Sequence, residues 1–166
     1  MFDLSKFNNS SYKPGNIFVK SAWYITSILF FETRIPYPRI LKIFILKCFG
    51  CKIGSRLILK PQVKIKYPWQ LKIGDHVWIG ERVWIDNVSD ISIGNNVCIS
   101  QNVMMESGNH DYKKEKFDLM LQPIIIENNV WIGCKCLILP GTIIKSSSVY
   151  FGGKIINNKT KPDKVL

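Results

Sequence analysis

The side chains best suited to chemistry in this 166-residue sequence are two histidines and five cysteines. His110 lies in a polar segment, residues 107–123, and an imidazole is well suited to accept a proton near neutral pH. We interpret His110 as a candidate general base. His76 occupies a turn position of a regular repeat, where Asn or Lys would serve equally well, so we interpret it as structural.

The cysteines do not form a recognisable metal or disulfide pattern. Cys48 and Cys51 make a C-x-x-C pair, but no second pair or His-rich segment completes a zinc site. The odd number and the absence of a secretory-signal pattern favour free thiols and a cytoplasmic protein. We favour the interpretation that these side chains are small apolar residues in packed positions. The five are Cys48, Cys51, Cys98, Cys134 and Cys136.

A six-residue period positions these groups. An apolar residue returns every six positions from Ile73 to Ile85, from Ile93 to Met105 and from Ile126 to Ile156, with a weaker version upstream from Ile53. An α-helix has 3.6 residues per turn and would not return these side chains to one face. Hairpins of variable length would not keep such strict spacing, which argues against a β-sandwich.

The period therefore predicts a mainly β, single-stranded coil of short parallel strands. Three hexads would make a triangular turn of about 18 residues, and stacked turns would bury one core. Gly or Asn would turn the corners. A smaller residue four positions after the first would also face inward. These smaller residues are Val77, Val97, Val130, Cys136, Thr142 and Ser148.

Two interruptions of the period are candidate sites. The longest is the segment 107–123, and loops that leave a rigid scaffold often carry binding and catalytic residues. The second is a two-residue slip at positions 88–90, directly after Asp86 and Asn87. The slip leaves open which of these two side chains faces a ligand, and a purely structural corner residue is the alternative.

The net charge of the chain bears on the charge of its ligand. The chain has 23 Lys and Arg against 12 acids, a formal net charge of +11, which suggests an anionic ligand. The cations are spread through the repeats, which favours a phosphorylated small molecule over nucleic acid. A mild cluster lies near the C-terminus, at Lys154, Lys159, Lys161 and Lys164.

Two apolar segments precede the repeat, residues 21–31 and 40–49. Both are shorter than the roughly 20 residues that span a bilayer, and both are predicted to be helices. Ile40, Ile43 and Phe44 form a helix-spaced stripe, which we expect to help cover the open end of the coil. The alternative is contact with a membrane surface, aided by neighbouring cations. These are Arg34, Arg39, Lys42 and Lys47.

The sequence resembles the hexapeptide-repeat acetyltransferases and, more closely, the colanic acid biosynthesis acetyltransferase subfamily. The resemblance covers residues 1 to about 156. It implies a left-handed β-helix, a homotrimer, acetyl-CoA as co-substrate without a metal, and a hydroxyl of a surface-polysaccharide sugar as acceptor. We expect a cytoplasmic protein, with the inner face of the cytoplasmic membrane as an alternative location. The matching stretches begin at Asp3, Lys66, Trp78, Trp84, Ile99, Gly108, Phe117 and Trp131.

The resemblance also implies roles for individual residues. His110 would be the base, and the backbone amide of Cys134, rather than its thiol, would stabilise the oxyanion. Trp131 would wall the thioester channel. The acceptor would contact Asp86 or Asn87, and Asn109. Gly152 and Gly153 would lie along the pantetheine arm, with Lys154 and Lys159 near the phosphates of the cofactor. The tail after Ile156 is shorter than in the family.

The sequence divides into an N-terminal capping segment at 1–52, a catalytic coil at 53–156 and a short tail at 157–166. Three other functions were weighed. A zinc carbonic anhydrase needs three histidines, and this chain has two. An amino-sugar N-acetyltransferase would use the same base and groove. A non-catalytic β-helix scaffold would explain the short tail, but not the Gly-Asn-His loop.

Overall fold

A computed structural model describes residues 2–166 and shows a left-handed parallel β-helix of about five turns. This confirms the fold predicted from the six-residue period. Two helices, α1 (Ile17–Phe30) and α2 (Arg39–Cys48), precede the coil. Short 3-10 helices lie at Leu4–Lys6 and Pro68–Gln70.

The strands of the coil stack into three parallel sheets, here called faces A, B and C. Face A contains β1 (Lys52–Ile53), β4 (Leu71–Ile73), β7 (Ile91–Ile93), β12 (Ile124–Ile126) and β15 (Ile143–Ile144). Face B contains β2 (Ile58–Leu59), β5 (Trp78–Ile79), β8 (Cys98–Ile99), β13 (Trp131–Ile132) and β16 (Ser148–Tyr150). Face C contains β3 (Lys64–Ile65), β6 (Trp84–Asp86), β9 (Met104–Glu106), β14 (Leu137–Ile138) and β17 (Ile155–Ile156).

Two antiparallel additions complete the sheets. β10 (Gly108–His110) pairs with β11 (Leu119–Leu121), so the interruption at 107–123 is a hairpin. The tail forms β18 (Lys164–Val165), which pairs with β16 and extends face B. The short tail is therefore folded back on the last turn of the coil.

The period-six residues form the core, as expected. Ile79, Ile99 and Ile132 stack on face B and are fully buried. The smaller residues at the fourth following position, such as Val77 and Val97, are also buried. One continuous apolar cluster therefore runs along the whole coil.

The expected turn of 18 residues is wrong for the first part of the coil. Ile53 pairs with Ile73 and Ile73 with Ile93, so these turns contain 20 residues. Only the last turn, in which Ile126 pairs with Ile144, contains 18. The two extra residues lie at the corner between faces C and A, where the sequence showed its slip.

The expected role of Gly and Asn at the corners is confirmed for Asn96, Gly141 and Gly153, which have left-handed φ angles, but not for the Gly that directly follows a buried Ile. The left-handed φ angles belong to residues such as His76 (φ 57°) and Asn96 (φ 54°), two positions after Gly74 and Gly94. Gly74 is needed for space: a Cβ there would lie 2.7 Å from the carbonyl carbon of Gly94 in the next turn. Stacking, rather than backbone conformation, selects glycine at this position.

Both predicted helices are present and pack on the N-terminal end of the coil. Trp23 of α1 donates a hydrogen bond from Nε1 to the Ile65 carbonyl (2.9 Å), and Leu46 of α2 is fully buried. The expected stripe on α2 is only partly right: Ile43 packs against the core, but Ile40 and Phe44 are exposed. Lys42 and Leu46 are the buried residues that face the coil. Helical spacing cannot decide which apolar side packs when both sides are apolar.

Ile99 tests the contribution of the stacked core. We expect Ile99→Ala to lower the free energy of unfolding by about 2–5 kcal/mol, because the side chain is fully buried between Ile79 and Ile132 and leaves a cavity. Ile155→Ala removes an outward side chain that is mostly exposed and should cost less than about 1 kcal/mol. Denaturant unfolding at one protein concentration measures both, and equal losses would contradict the stacked-core account.

Candidate active site

His110 is presented by the hairpin that interrupts the coil. It is the last residue of β10 and lies opposite Leu119 in the antiparallel pair. Gly108 begins the hairpin because there is no room for a side chain: a Cβ at this position would lie 2.2 Å from Cγ2 of Val88. The break in the period thus places the imidazole at the corner between faces C and A.

The hydrogen bonding of His110 favours a basic Nε2. Its Nδ1 lies 2.9 Å from the carbonyl oxygen of Phe117, which can only accept a hydrogen bond. The proton therefore resides on Nδ1, and Nε2 of the neutral ring keeps its lone pair. No side-chain or backbone donor in the described residues occupies Nε2.

Aromatic side chains fix the plane of this imidazole. The Phe117 ring stacks on it with centroids 4.5 Å apart and an angle of 3°, and Phe7 meets its edge at 5.3 Å. Phe117 has a left-handed φ of 50°, an uncommon conformation for a bulky residue. The backbone strain at Phe117 accompanies the carbonyl contact with His110.

The N-terminal segment supports the same hairpin. Asp3 donates its backbone N–H to the Glu115 carbonyl (2.9 Å), and Lys6 forms an ion pair with the Glu115 carboxylate. The sequence predicts only a capping role for residues 1–52 and does not reveal this contact. The motif beginning at Asp3 was noticed, but its place beside residue 115 depends on the folded path of the chain.

Cys134 lies at the corner between faces B and C and offers a free backbone donor. Among the hydrogen bonds of the described residues, none uses the Cys134 N–H. At the corner between faces A and B, by contrast, the corresponding N–H groups of Ser55, Asp75 and Asn95 are bound by side chains of the next turn. The Cys134 amide is thus available to a ligand oxygen.

Gly152 lies directly above Cys134 in the next turn. A Cβ at position 152 would lie 2.8 Å from the Cys134 carbonyl oxygen, 3.1 Å from its Sγ and 3.5 Å from its N. Gly153 has a φ of 80° and faces open space. The structure therefore brings together three of the residues singled out from sequence, and two glycines keep this corner uncovered.

Trp131 and Lys154 flank the same corner. Trp131 points outward from face B, about half exposed, with its Nε1 3.1 Å from Ser100 Oγ. Lys154 Nζ lies 2.5 Å from Asp163 Oδ1 in the folded tail. Asp163 also accepts the Phe151 N–H, and the two contacts hold the pKa of its carboxyl below the ordinary value. Lys154 is thus already paired with a carboxylate.

Asp86 and Asn87 have different surroundings. Asn87 is fully buried; its Nδ2 donates to the Tyr67 carbonyl (2.6 Å) and its Oδ1 accepts the Tyr67 N–H (3.0 Å). With both polar atoms used, Asn87 is structural, which corrects its assignment as an acceptor ligand. Asp86 Oδ1 lies 2.8 Å from Lys66 Nζ, and Asp86 lines an open cleft of about 650 Å³ between α1 and face C.

Asn109 is exposed, and its Oδ1 accepts the backbone N–H of His110 (2.8 Å). It lies beside the candidate base, with its amide nitrogen uncommitted among the described hydrogen bonds. Its placement is compatible with a contact to a substrate held at His110. The hydrogen bond also shows that Asn109 shapes the backbone at the base.

Sequence reasoning missed a charged column beside this site. Lys66, Asp86 and Glu106 are spaced by 20 residues, one turn of the coil, and Asp86 pairs with Glu106 in the sheet. Burial chiefly, and then the charge of Asp86, raise the pKa of Glu106. A turn length of 20 residues, had it been recognised, would have revealed the column.

The chain was then compared with known proteins. No family model matches it. However, an Escherichia coli protein named as a colanic acid biosynthesis acetyltransferase, WcaF, is 32% identical over 153 residues, which cover 90% of this chain and 82% of the relative. The chain belongs to the hexapeptide-repeat acetyltransferase family. As a member of this family, the protein is an acyltransferase.

Solved structures of the family share the fold. A galactoside acetyltransferase in complex with coenzyme A has a TM-score of 0.74 at 21% identity and covers 98% of this chain and 85% of its own. A hexapeptide-repeat acetyltransferase of Vibrio cholerae complexed with acetyl coenzyme A has a TM-score of 0.72 at 19% identity, covering 89% and 87%. At these identities, the likeness concerns the fold.

Within this family fold, the two parts of the candidate site lie at different corners of one chain. Cys134 and Gly152 lie where face B meets face C, and His110 follows the corner where face C meets face A. The width of face C, six residue steps from Gln101 to Ser107, separates these corners by about 20 Å at the rise of a β-strand. One chain does not join them into one site.

Residues 2–166 also bear on metal binding and membrane insertion by the acetyltransferase. In this range, no group of His, Cys, Asp and Glu side chains is arranged to hold a metal ion. Nor does any helix within it have the length and apolar character needed to cross a membrane.

Glu106 gives a pH-dependent prediction for the acetyltransferase. Because the fold raises the pKa of Glu106, ionisation of this carboxyl costs stability above its ordinary pKa, and protonation removes the cost at lower pH. Glu106→Gln should therefore stabilise the protein at pH 7, with a gain that shrinks as the pH falls through the raised pKa of Glu106 and is lost once the pH is below its ordinary value of about 4.5. Thermal unfolding across this pH range measures the gain. The exposed Glu81→Gln is the control, and an equal gain there would contradict the prediction.

Proposed function

We propose that the protein is an acetyl-CoA-dependent O-acetyltransferase that acts on a sugar hydroxyl in surface-polysaccharide biosynthesis. The observation that carries the proposal is the contact between His110 Nδ1 and the Phe117 carbonyl, because it leaves Nε2 as a base. The free Cys134 amide supplies the second requirement of acyl transfer, a fixed donor for the oxyanion.

The proposed reaction is a direct transfer. His110 Nε2 accepts the proton of the acceptor hydroxyl while the hydroxyl oxygen attacks the thioester carbonyl. The negative charge on the carbonyl oxygen is stabilised by the Cys134 N–H. The intermediate then expels the CoA sulfur, which takes the proton from His110, and the products are the acetyl ester and free CoA. The Cys134 thiol forms no bond in this sequence.

A homotrimer would join the two corners of the site. Because the His110 corner and the Cys134 corner are separated by face C in one chain, the hairpin of one copy must meet the Cys134 corner of another. Outward side chains such as Trp131 and Trp78 on face B offer apolar area for such a contact. Light scattering should therefore show a trimer.

The CoA arm would follow the glycine-lined corner of the last turn. Gly152 and Gly153 leave the backbone accessible, and Lys159 is an exposed cation in the tail. Lys154 would bind a phosphate of the cofactor after leaving Asp163, so that a phosphate replaces the carboxylate as its anionic partner. The folded tail thus takes part in the proposed cofactor site despite its length.

Asp86 and Asn109 are the proposed acceptor contacts. The Asp86 carboxylate borders the cleft on face C and can accept hydrogen bonds from sugar hydroxyls, while Asn109 lies next to the base. The name of the Escherichia coli relative refers to colanic acid biosynthesis, which supports a surface polysaccharide as the acceptor class. The reaction would then take place at the inner face of the cytoplasmic membrane.

The direct test is release of CoA thiol from acetyl-CoA with a panel of sugars and matched amino sugars. We expect turnover with sugar hydroxyls and acetyl esters as products. Acetylation of amino groups alone would replace this proposal by an N-acetyltransferase. Binding of acetyl-CoA without turnover on any acceptor of the panel, or no binding, would count against the enzyme function proposed here.

A further inference from the structure

We propose that α1 and α2 bind the surface of an anionic lipid bilayer. The docking face consists of the exposed apolar side chains of the two helices together with the cations around them. The apolar members are Ile17, Phe18, Leu29, Ile40, Leu41 and Phe44. This surface is separate from the residues assigned to acetyl transfer.

Helix α1 is apolar on the side that faces away from the coil. Its buried residues, Trp23 and Ser27, form a narrow contact with the coil. Phe18 and Leu29 are eleven residues apart, lie on the opposite side and are 80% and 55% exposed. A helix that served only as a cap would carry polar residues on this side.

Helix α2 repeats the arrangement. Lys42 and Leu46 face the coil, while Ile40 and Phe44 point away from it and are 77% and 64% exposed. A surface helix of a monomeric protein rarely leaves side chains of this size together in water. Two successive helices with exposed apolar side chains indicate a surface that a binding partner covers.

The charge around the helices identifies the partner. Residues 13–56 contain eight Lys and Arg but one acid, and so hold seven of the eleven net positive charges. The one acid, Glu32, accepts a hydrogen bond from the hydroxyl of the buried Ser27 (2.9 Å). Apolar side chains among unopposed cations fit the interface of a bilayer with anionic headgroups.

A second copy of the chain fits this surface less well. Pairing of this surface with the same surface of another copy would bring the seven net positive charges of residues 13–56 against an equal set, whereas an anionic bilayer brings the opposite charge. Because neither helix is long and apolar enough to span a membrane, contact with the surface is the geometry that remains for a bilayer. In such contacts, the free energy of apolar burial and that of electrostatic attraction to the headgroups add.

The test is cosedimentation of the full chain with vesicles of phosphatidylcholine, with and without phosphatidylglycerol. We expect binding to the anionic vesicles that weakens with salt. Phe18→Ser with Leu29→Ser should reduce partitioning by about tenfold or more, because two large apolar contacts are lost. Arg34→Glu with Lys47→Glu should reduce it by about fivefold or more per residue.

Matched controls separate this surface from nonspecific attraction. Ile155→Ser and Lys72→Glu change an exposed apolar residue and an exposed cation on the coil, and should leave vesicle binding nearly unchanged. Equal losses in the controls, or no binding by the unmodified protein, would overturn the proposal. So would dissociation of an oligomer by the helix variants in light scattering, since a second copy would then be the occupant. Acetyl transfer to a soluble acceptor should be unaffected by the helix variants, so the two proposals fail independently.

Discussion

Replacement of His110 by alanine is expected to lower kcat for acetyl transfer by about 10²–10⁴-fold, the usual contribution of a positioned general base. The Phe117 carbonyl holds the proton on Nδ1, so Nε2 is the atom that takes the hydroxyl proton. Alanine removes this atom and leaves the β10–β11 backbone pairing in place. Steady-state release of CoA measures the loss.

The other histidine provides the control. His76 lies at a turn with a φ of 57°, so asparagine, which tolerates this conformation, is the appropriate replacement. His76→Asn should keep nearly full activity. Circular dichroism and thermal unfolding of the His110 variant should match the unmodified protein. Full activity in a folded His110→Ala variant would exclude the proposed mechanism.

Replacement of Gly152 by alanine is expected to lower kcat by about 10²–10³-fold, the effect of losing an oxyanion donor. The new Cβ would lie 2.8 Å from the Cys134 carbonyl oxygen, so residue 134 must move and its amide with it. By contrast, Cys134→Ala keeps the backbone donor and should retain activity. Adding Cys134→Ala to the Gly152 variant should not restore activity, because the backbone contact persists.

The steric effect of the added Cβ must be separated from loss of the Cys134 N–H as an oxyanion donor. Gly80→Ala places a Cβ 2.6 Å from the Gln101 backbone nitrogen, a similar clash elsewhere in the coil. Both alanine variants should lose stability, but only the Gly152 variant should lose more activity than its folded fraction explains. If the two variants lost activity in proportion to stability, the corner at Cys134 would have no special part in catalysis.

The coil itself could be predicted from sequence because its rule is local. A strand that passes a corner every six residues must point the same position inward each time, so Ile79, Ile99 and Ile132 reveal the fold without knowledge of their partners. The place where the rule fails located His110, since a long interruption of a stacked coil must leave it as a loop.

The surroundings of these residues depend on how turns stack, which the period alone does not determine. The two extra residues per turn set the spacing of 20 that brings Lys66 beside Asp86 and buries Asn87 against Tyr67. Which of the two neighbouring polar residues faces a ligand follows from that register. The sequence left the choice open.

The sequence by itself determined the stacked coil, its interruption and the presence of two helices, because each follows from residue spacing along one segment. The tertiary structure alone decided the proton position on His110, the free amide of Cys134 and the outward faces of α1 and α2. These depend on contacts between separate segments of the chain. The His110 ring contacts the carbonyl of Phe117 across the hairpin, the corner at Cys134 lies next to the following turn, and the helices pack on the end of the coil. Such contacts are selected by packing of the whole molecule, and local residue patterns do not encode them.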